Sequence, residues 1–253
     1  MSTLKHKVKG VILCGGEGKR LRPLTYYFQK TMIPIGVSQK PLLEYIVKLM
    51  RHHNIRDIVL LVGYKYEQIT NYFGDGSRFN VRLTYVLDDP DMKGTGGALL
   101  NAYLKGVFED IDTLMIYYGD ILSNINLSRM LEEHWRNSAL ATLAVATKYQ
   151  IPVGVAKLDD NNRIIDIVEK PWLDIPVGIG ILALEYKALD KLKELSHEKK
   201  DIDIMGDLLP KLVRENEPVH AYKHDGFWLD VGSTEKYEKI DNKLVSSIFK
   251  DII

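Results

Sequence analysis

Residues 13–25 read "LCGGEGKRLRPLT": an apolar run, Val11 to Cys14, leads into Gly15, Gly16 and Gly18, then Lys19, Arg20 and Arg22, then Pro23. Glycines let backbone N–H groups approach a ligand closely, and cations neutralise a negative one. The pairing points to an anion held at the end of a strand. Two familiar phosphate loops fail on spacing. A dinucleotide fingerprint needs glycine three residues after Gly18, where Leu21 stands. A P-loop needs glycine at position 13 and a hydroxyl at position 20, where Leu13 and Arg20 stand. Pro23 speaks against a regular helix starting at the glycines, so residues 15–31 form a long basic loop that wraps its ligand. Other charged residues close other apolar runs. Asp120 ends "LMIYYGD", and the carboxyl ends of strands are where open α/β sheets place ligands. Glu169 and Lys170 end "IIDIVEKP"; strand neighbours face opposite ways, so the two do different jobs unless the backbone bends at Pro171.

The elements that must position these residues alternate. Strand character over Val8–Cys14, Asp57–Val62, Arg82–Leu87, Thr113–Tyr118 and 141–147 is interleaved with helical spacing over 41–53, Tyr66–Phe73, 97–107 and 126–137. This order predicts an α/β fold with a mostly parallel sheet and helices on both faces. The rhythm then changes to a hairpin over 153–158 and 164–169, with a turn at 159–162, and a strand over 175–184. Helices over 187–195 and 204–215, a strand over 220–231 and a helix over 234–246 follow. No linker rich in Pro, Gly or Ser divides the chain, so one domain, 1–253, is expected, with halves 1–140 and 141–253.

With 45% hydrophobic and 27% charged residues, the 253-residue chain has ordinary globular composition. Its 34 basic and 34 acidic residues cancel, which excludes a chain-wide attraction to nucleic acid or to a membrane surface; any positive field is local. Cys14 alone allows no internal disulfide and fits a reducing cytoplasm. The apolar run behind Lys5, Lys7 and Lys9 falls short of the ~7–15 residues of a signal segment, and nothing nears the ~18 of a membrane span. A soluble cytoplasmic protein without membrane or nucleic-acid partners is expected, with a homo-oligomer left open.

The stretch "GGEGKRLRPLT", followed by Lys30, "PI" and Lys40-Pro41, resembles the opening of the sugar-1-phosphate nucleotidyltransferases, the NDP-sugar pyrophosphorylases. Lys19 stands where that family usually has Ser or Thr. The resemblance runs in order through "KGTGGAL" (93–99), "YGDIL" (118–122), "VGVAKLD" (153–159), "VEKP" (168–171) and "WLDVGSTEKY" (228–237). It implies a Rossmann-like sheet of the nucleotide-diphospho-sugar transferase type, elaborated by a sugar-binding, β-rich second half. The reaction it implies is attack of a sugar 1-phosphate oxygen on the α-phosphorus of an NTP, expelling pyrophosphate. Arg20 then clamps the transferring and leaving phosphates, its planar fork matching their oxygens. Lys30 stabilises charge at the α-phosphate, and Asp120 with Asp230 holds Mg²⁺. Nucleotide contacts fall to Leu13, Gly15, Gly16, Gly18, Lys19, Arg20, Asp88 and Gly94, and sugar-phosphate contacts to Gly154, Glu169 and Lys170.

By alignment with that family, Asp88 of "LDDPDMKGTGGAL" reads the base edge, and Gly94 supports it through the backbone. A carboxylate accepts both N1–H and N2–H₂ of guanine, whereas thymine and uracil suit Gln better. "GTGGAL" and "GDILSNINL" are similar to the mannose-1-phosphate guanylyltransferase branch, so GTP with mannose 1-phosphate, or a related heptose 1-phosphate, is expected. Glucose-1-phosphate thymidylyl-, uridylyl- or cytidylyltransferase activity is the alternative: the cytosine N4 amine also donates to a carboxylate at Asp88, uracil or thymine is read if Asp89 or a main-chain group does the reading, and "IPVGIG" (175–180) in place of the family's Asn-Ala-Gly leaves the sugar open. A non-catalytic nucleotide-sugar sensor is a further alternative, disfavoured by the presence of Arg20, Lys30, Asp120 and Asp230 together. His52 and His53 at a helix end, Cys14, and the D-x-D of Asp201 and Asp203 read as structural residues.

Overall fold

Burial along the strands sets the layers. In the computed structural model, which describes residues 6–252, Ile12, Leu60, Met115 and Tyr117 face one side of the sheet. Val11, Val59, Leu61, Leu114 and Ile116 face the other, as a strand's period of two requires. The strands are β1 (Val8–Cys14), β2 (Asp57–Val62), β3 (Arg82–Leu87), β4 (Thr113–Tyr118), β5 (Ile121–Ser123) and β6 (Ala141–Ala146). They continue with β7 (Val155–Leu158), β8 (Ile164–Val168), β9 (Val177–Glu185), β10 (Val219–His224) and β11 (Trp228–Asp230). Seven form one sheet in the order β10-β6-β9-β4-β1-β2-β3. Every neighbouring pair is parallel except those made by β9, which runs antiparallel to β4 and β6.

The helices are α1 (Leu42–His52), α2 (Tyr66–Phe73), α3 (Gly94–Leu104), α4 (Leu127–Arg136), α5 (Asp190–Glu198) and α6 (Leu209–Arg214). Apolar residues of α1, α2 and α4 cover the face of Ile12, and those of α3, α5 and α6 the face of Val11. The sheet is therefore mostly parallel and clad on both sides, as the alternation of elements predicts. Each buried strand residue that replaces exposed surface contributes roughly 1.5–3 kcal/mol, which is why short continuous apolar runs suffice as strands here.

Several elements depart from the sequence expectation: α5 lies three residues later than 187–195, the helix expected over 204–215 opens with a wider turn over Ile204–Leu208 before α6, and three others depart for reasons the packing shows. Helix α3 begins at Gly94 and ends at Leu104, earlier than 97–107. Its glycines are poor helix formers, yet they let the first turn press on a distant segment: the Gly96 and Gly97 N–H groups donate to the Ile202 carbonyl at 2.7 and 3.3 Å. Gly106, at φ +71°, then closes the helix. The strand expected over 220–231 is two strands, because the chain leaves the main sheet at Asp225-Gly226. Its Phe227 N–H donates to Asn124 Oδ1 at 2.9 Å, and β11 pairs with β5 instead. The closing helix is likewise two, α7 (Thr234–Glu238) and α8 (Asn242–Ile248). Asp241 separates them by capping α8, accepting from the Lys243 and Leu244 N–H groups at 2.9 and 3.0 Å.

Val245 and Phe249 in and beside α8 pack with Ile35, Leu42 and Tyr45 in a third apolar cluster, which fixes the C-terminal segment against the chain beyond the basic loop. Asp241→Ala is expected to lower unfolding free energy by about 1 kcal/mol, the usual loss for an N-cap, in urea titrations. A change within about 0.2 kcal/mol would show that the helix break does not depend on this cap.

Candidate active site

Parallel pairing aligns the carboxyl ends of the central strands. Cys14 is in register with Val62, Val62 with Leu87, and Leu13 with Tyr118, so Gly15, Gly63, Asp88 and Gly119 stand along one edge. Backbone bonds extend the ladder past the strands: Tyr64 N–H to the Gly15 carbonyl, 3.1 Å, and Gly119 N–H to the Leu13 carbonyl, 3.0 Å. Above this edge lies a cleft of about 450 Å³ lined by Leu13, Gly15, Gly16, Lys30, Asp88, Gly94 and Asp120, all expected from the sequence, together with Gln29, Thr95 and Tyr118. A second hollow adjoins it, lined by Gly18, Lys19, Arg20, Lys30 and Gly232. Glu17 and Lys30 border both.

The basic loop is built from short tight turns rather than a helix: Lys19–Leu21, Leu24–Tyr26 and Lys30–Met32. Buried Leu21 anchors the first, and the Thr25 hydroxyl donates to the Gly18 carbonyl at 2.9 Å. Gly18 lies at φ +64°, and a side chain there would meet Thr25 at 2.8 Å. Thr234 at the start of α7 donates to the Arg22 carbonyl at 3.2 Å, linking the loop to the chain just past Asp230.

Lys30 and Asp120 form an ion pair at the cleft floor, their side chains 15% and 21% exposed. Asp230 lies on β11, whose partner strand begins one residue after Asp120, and the Val231 N–H donates to the Asp120 carbonyl at 2.8 Å. The Asp230 carboxylate pairs with Lys236 at 2.5 Å. Among the described residues, no cluster of three or more His, Cys, Asp or Glu side chains converges on a point. Two hard oxygen donors, one in the turn between β4 and β5 and one on β11, nevertheless suit Mg²⁺, which uses one or two carboxylates and completes its shell with phosphate oxygens and water.

Asp88 sits against bare backbone. A Cβ on Gly15 would fall 1.9 Å from Asp88 Oδ2, and one on Gly63 2.5 Å from it. Gly63 was not singled out in the sequence; its signal is a glycine directly after the apolar run "DIVLLV", the β2 counterpart of Gly15. Burial alone pushes the Asp88 carboxyl up to about 6. Burial likewise raises the Cys14 thiol far above its ordinary value, which removes it as a nucleophile. Asp203 accepts from the Thr95 hydroxyl at 2.8 Å and from the Gly206 N–H at 2.7 Å, a structural use of the D-x-D.

Gly154, Glu169 and Lys170 line neither hollow. They gather at the root of the exposed β7–β8 hairpin, where a Cβ on Gly154 would lie 3.0 Å from Glu169 Oε2. Strand β8 stops at Val168, and Lys170 adopts φ +48°, so the strand rule does not reach this pair. The two side chains point together, Lys170 Nζ to Glu169 Oε1 at 3.7 Å. The backbone bends before Pro171.

The chain matches the profile of the family described as nucleotidyl transferase over residues 9–247. It is 32% identical over 260 residues to a UTP–glucose-1-phosphate uridylyltransferase of Synechocystis, covering 97% of this chain and 65% of that protein. It is 28% identical over 248 residues to a mannose-1-phosphate guanylyltransferase of Mycobacterium tuberculosis, covering 96% and 66% respectively. This chain thus spans about two thirds of these relatives' lengths. A crystal structure of a Bacillus anthracis protein assigned as a glucose-1-phosphate thymidylyltransferase shares the fold, with a TM-score of 0.73 and 24% identity over 97% of this chain and 96% of that one. No helix among the described residues is long and apolar enough to cross a membrane.

The raised Asp88 carboxyl predicts a specific pH response. The folded chain holds this proton more tightly than the unfolded one, so Asp88 favours folding fully below its unfolded value near 4 and loses that contribution as pH rises through about 6. Carboxyl-carbon NMR is expected to place its midpoint near 6, and Asp88→Asn to be more stable relative to wild type at pH 7 than at pH 4. A midpoint at an ordinary aspartate value would mean the carboxylate is not desolvated.

Proposed function

The chain belongs to the nucleotidyl transferase family, and from that premise we propose that it joins a nucleoside triphosphate to a sugar 1-phosphate, making an NDP-sugar and pyrophosphate. The observation that carries this reading is the Lys30–Asp120 ion pair beside the glycine loop at the carboxyl edge of the sheet, with the backbone of Asp230 brought next to it by the pairing of β11 with β5. A sugar phosphate oxygen attacks the α-phosphorus, and the bond from that phosphorus to the bridging oxygen of the β-phosphate breaks. Phosphate monoesters lose their second proton at about pH 6, so the nucleophile needs no general base at neutral pH. That agrees with the makeup of the cleft, where burial holds the Tyr118 hydroxyl up at about 12.

The obstacle is repulsion: unit charges ~4 Å apart cost ~4 kcal/mol even at an effective dielectric near 20. Lys30 supplies positive charge where it develops on the α-phosphate, and Arg20 with Lys19 faces the leaving phosphates from the adjoining hollow. The glycine loop lets backbone donors approach the phosphates. Asp120 and Asp230 would hold Mg²⁺, which would offset phosphate charge there. Glu169 and Lys170 bind the sugar phosphate from the hairpin root; a lysine held at φ +48° costs backbone strain of a kind found at ligand sites.

For the base, a half-buried carboxylate shifted by burial alone suits a partner with two adjacent donors, so guanine is the favoured base and GTP with mannose 1-phosphate the favoured pair. A uridylyltransferase is the second reading, favoured by the Synechocystis relative.

Pyrophosphate release assayed across GTP, UTP, dTTP, CTP and ATP with a panel of sugar 1-phosphates tests the proposal. Turnover is expected to need Mg²⁺, and Asp120→Asn and Asp230→Asn each to lower kcat by about two to three decades with the fold intact. Full activity in excess chelator would remove both aspartates from the role. Asp88→Gln is expected to cut GTP turnover and relatively raise that with UTP or dTTP; a wild type that prefers dTTP would show that Asp88 does not read the base.

A further inference from the structure

Gln29 has no counterpart in any motif above, yet it is fully buried beside the site. Its amide is almost saturated by the loop. Nε2 donates to the Cys14 carbonyl, at the end of β1, at 2.5 Å. Oε1 accepts from both the N–H and the hydroxyl of Thr31, each at 2.6 Å. Its backbone N–H donates to Gln68 Oε1 on α2 at 2.7 Å, and the Gln68 amide donates in turn to the Tyr27 carbonyl at 2.7 Å. The residues before and after Lys30 are therefore pinned to two separate elements of the core, β1 and α2.

Helix and turn caps are usually Ser, Thr, Asp or Asn. Gln29 caps the Lys30–Met32 turn with a longer side chain that also spans to β1, and an asparagine, one methylene shorter, would have to give up one end. This geometry fixes the Cα of Lys30, and the ion pair with Asp120 sets where its ammonium rests. We propose that Gln29 is a positioning residue: it acts through Lys30, holding that ammonium at the floor of the cleft, with Gln68 as its outer brace. The kinetic form of this inference rests on the nucleotidyl-transfer reading. A misplacement of about 1 Å at such a group costs as much as a hundredfold in rate, which is the scale expected.

The test is a double-mutant cycle. Gln29→Met keeps the volume and deletes every amide bond; it is expected to lower kcat about 30-fold with nucleotide KM within about threefold of wild type. In a Lys30→Ala background the same change is expected to move kcat by less than about twofold. An equal loss in both backgrounds, or a loss carried by KM, overturns the proposal. Should Gln29→Met fail to fold, Gln68→Ala on the partly exposed face of α2 decides instead, with an expected drop of about fivefold that also vanishes without Lys30.

Acetylation of lysines, followed peptide by peptide by mass spectrometry, separates this inference from the reaction assigned above. Lys30 is expected to label at least about fivefold faster in Gln29→Met than in wild type, while Lys48, equally shielded on α1, labels at an unchanged rate. Unchanged Lys30 labelling, or an equal rise at Lys48, sinks the positioning role. A wild type that turns over no NTP but shows the selective rise keeps the role of Gln29 and removes the reaction.

Discussion

An ammonium and a carboxylate, Lys30 and Asp120, meet at the carboxyl edge of a parallel sheet, and much of the surrounding chain is arranged to let them. Both are mostly withdrawn from water, at 15% and 21% exposure, and a partly buried ion pair offsets its desolvation only if its geometry is fixed from both sides. On the carboxylate side, Gly119 brings the end of β4 against β1; a side chain there would strike the Leu13 carbonyl at 2.6 Å. On the ammonium side, a loop with no regular helix must be held still. Buried Leu21, Thr25 and Gln29 do this, and α7 adds a strap from the far end of the chain through Thr234. The glycines leave backbone exposed to a ligand, and the buried residues between them keep that backbone from moving.

Much of this arrangement was legible in the residues. The bounds of β1, β2 and β4 follow from continuous apolar runs, because a central parallel strand is buried on both faces and its sequence shows it, whereas β3 at the sheet edge alternates instead. Asp120 closes such a run, one glycine past β4, whereas Asp88 is legible only through the resemblance to the sugar-1-phosphate nucleotidyltransferases. What escaped depends on partners remote in the chain. The start of α3 is set by Ile202, roughly a hundred residues away, so propensity misplaced it. Gln29 is ordinary by type, and its value comes from where Cys14, Thr31 and Gln68 happen to converge. Glu169 and Lys170 were legible as residues, and only their mutual orientation hung on the bend at Pro171: the period-two rule holds while a strand lasts, and β8 ends one residue before Glu169.

The charge arrangement around the site constrains how it can work. With 34 basic and 34 acidic residues overall, the positive field is local, and even locally most of the cations are partnered, Arg20 being without an ion pair among the described residues. Lys19 and Arg22 lie 3.4 and 3.8 Å from Glu17, Lys30 is held by Asp120, and Lys236 by Asp230. A site of unpaired cations would bind any polyphosphate tightly, reactant and product alike, and uniform tightness lowers KM without raising kcat. Paired cations behave differently. Under the proposed function, a polyphosphate arriving with a divalent cation would exchange one set of ion pairs for another, so the gain in the ground state would be modest. The gain grows only where charge accumulates during transfer, at a point an ammonium has already been fixed to meet. Under the proposed reaction, the acids opposite the lysines would serve selectivity for the transition state, and the buried scaffold behind Lys30 would matter more to rate than to affinity.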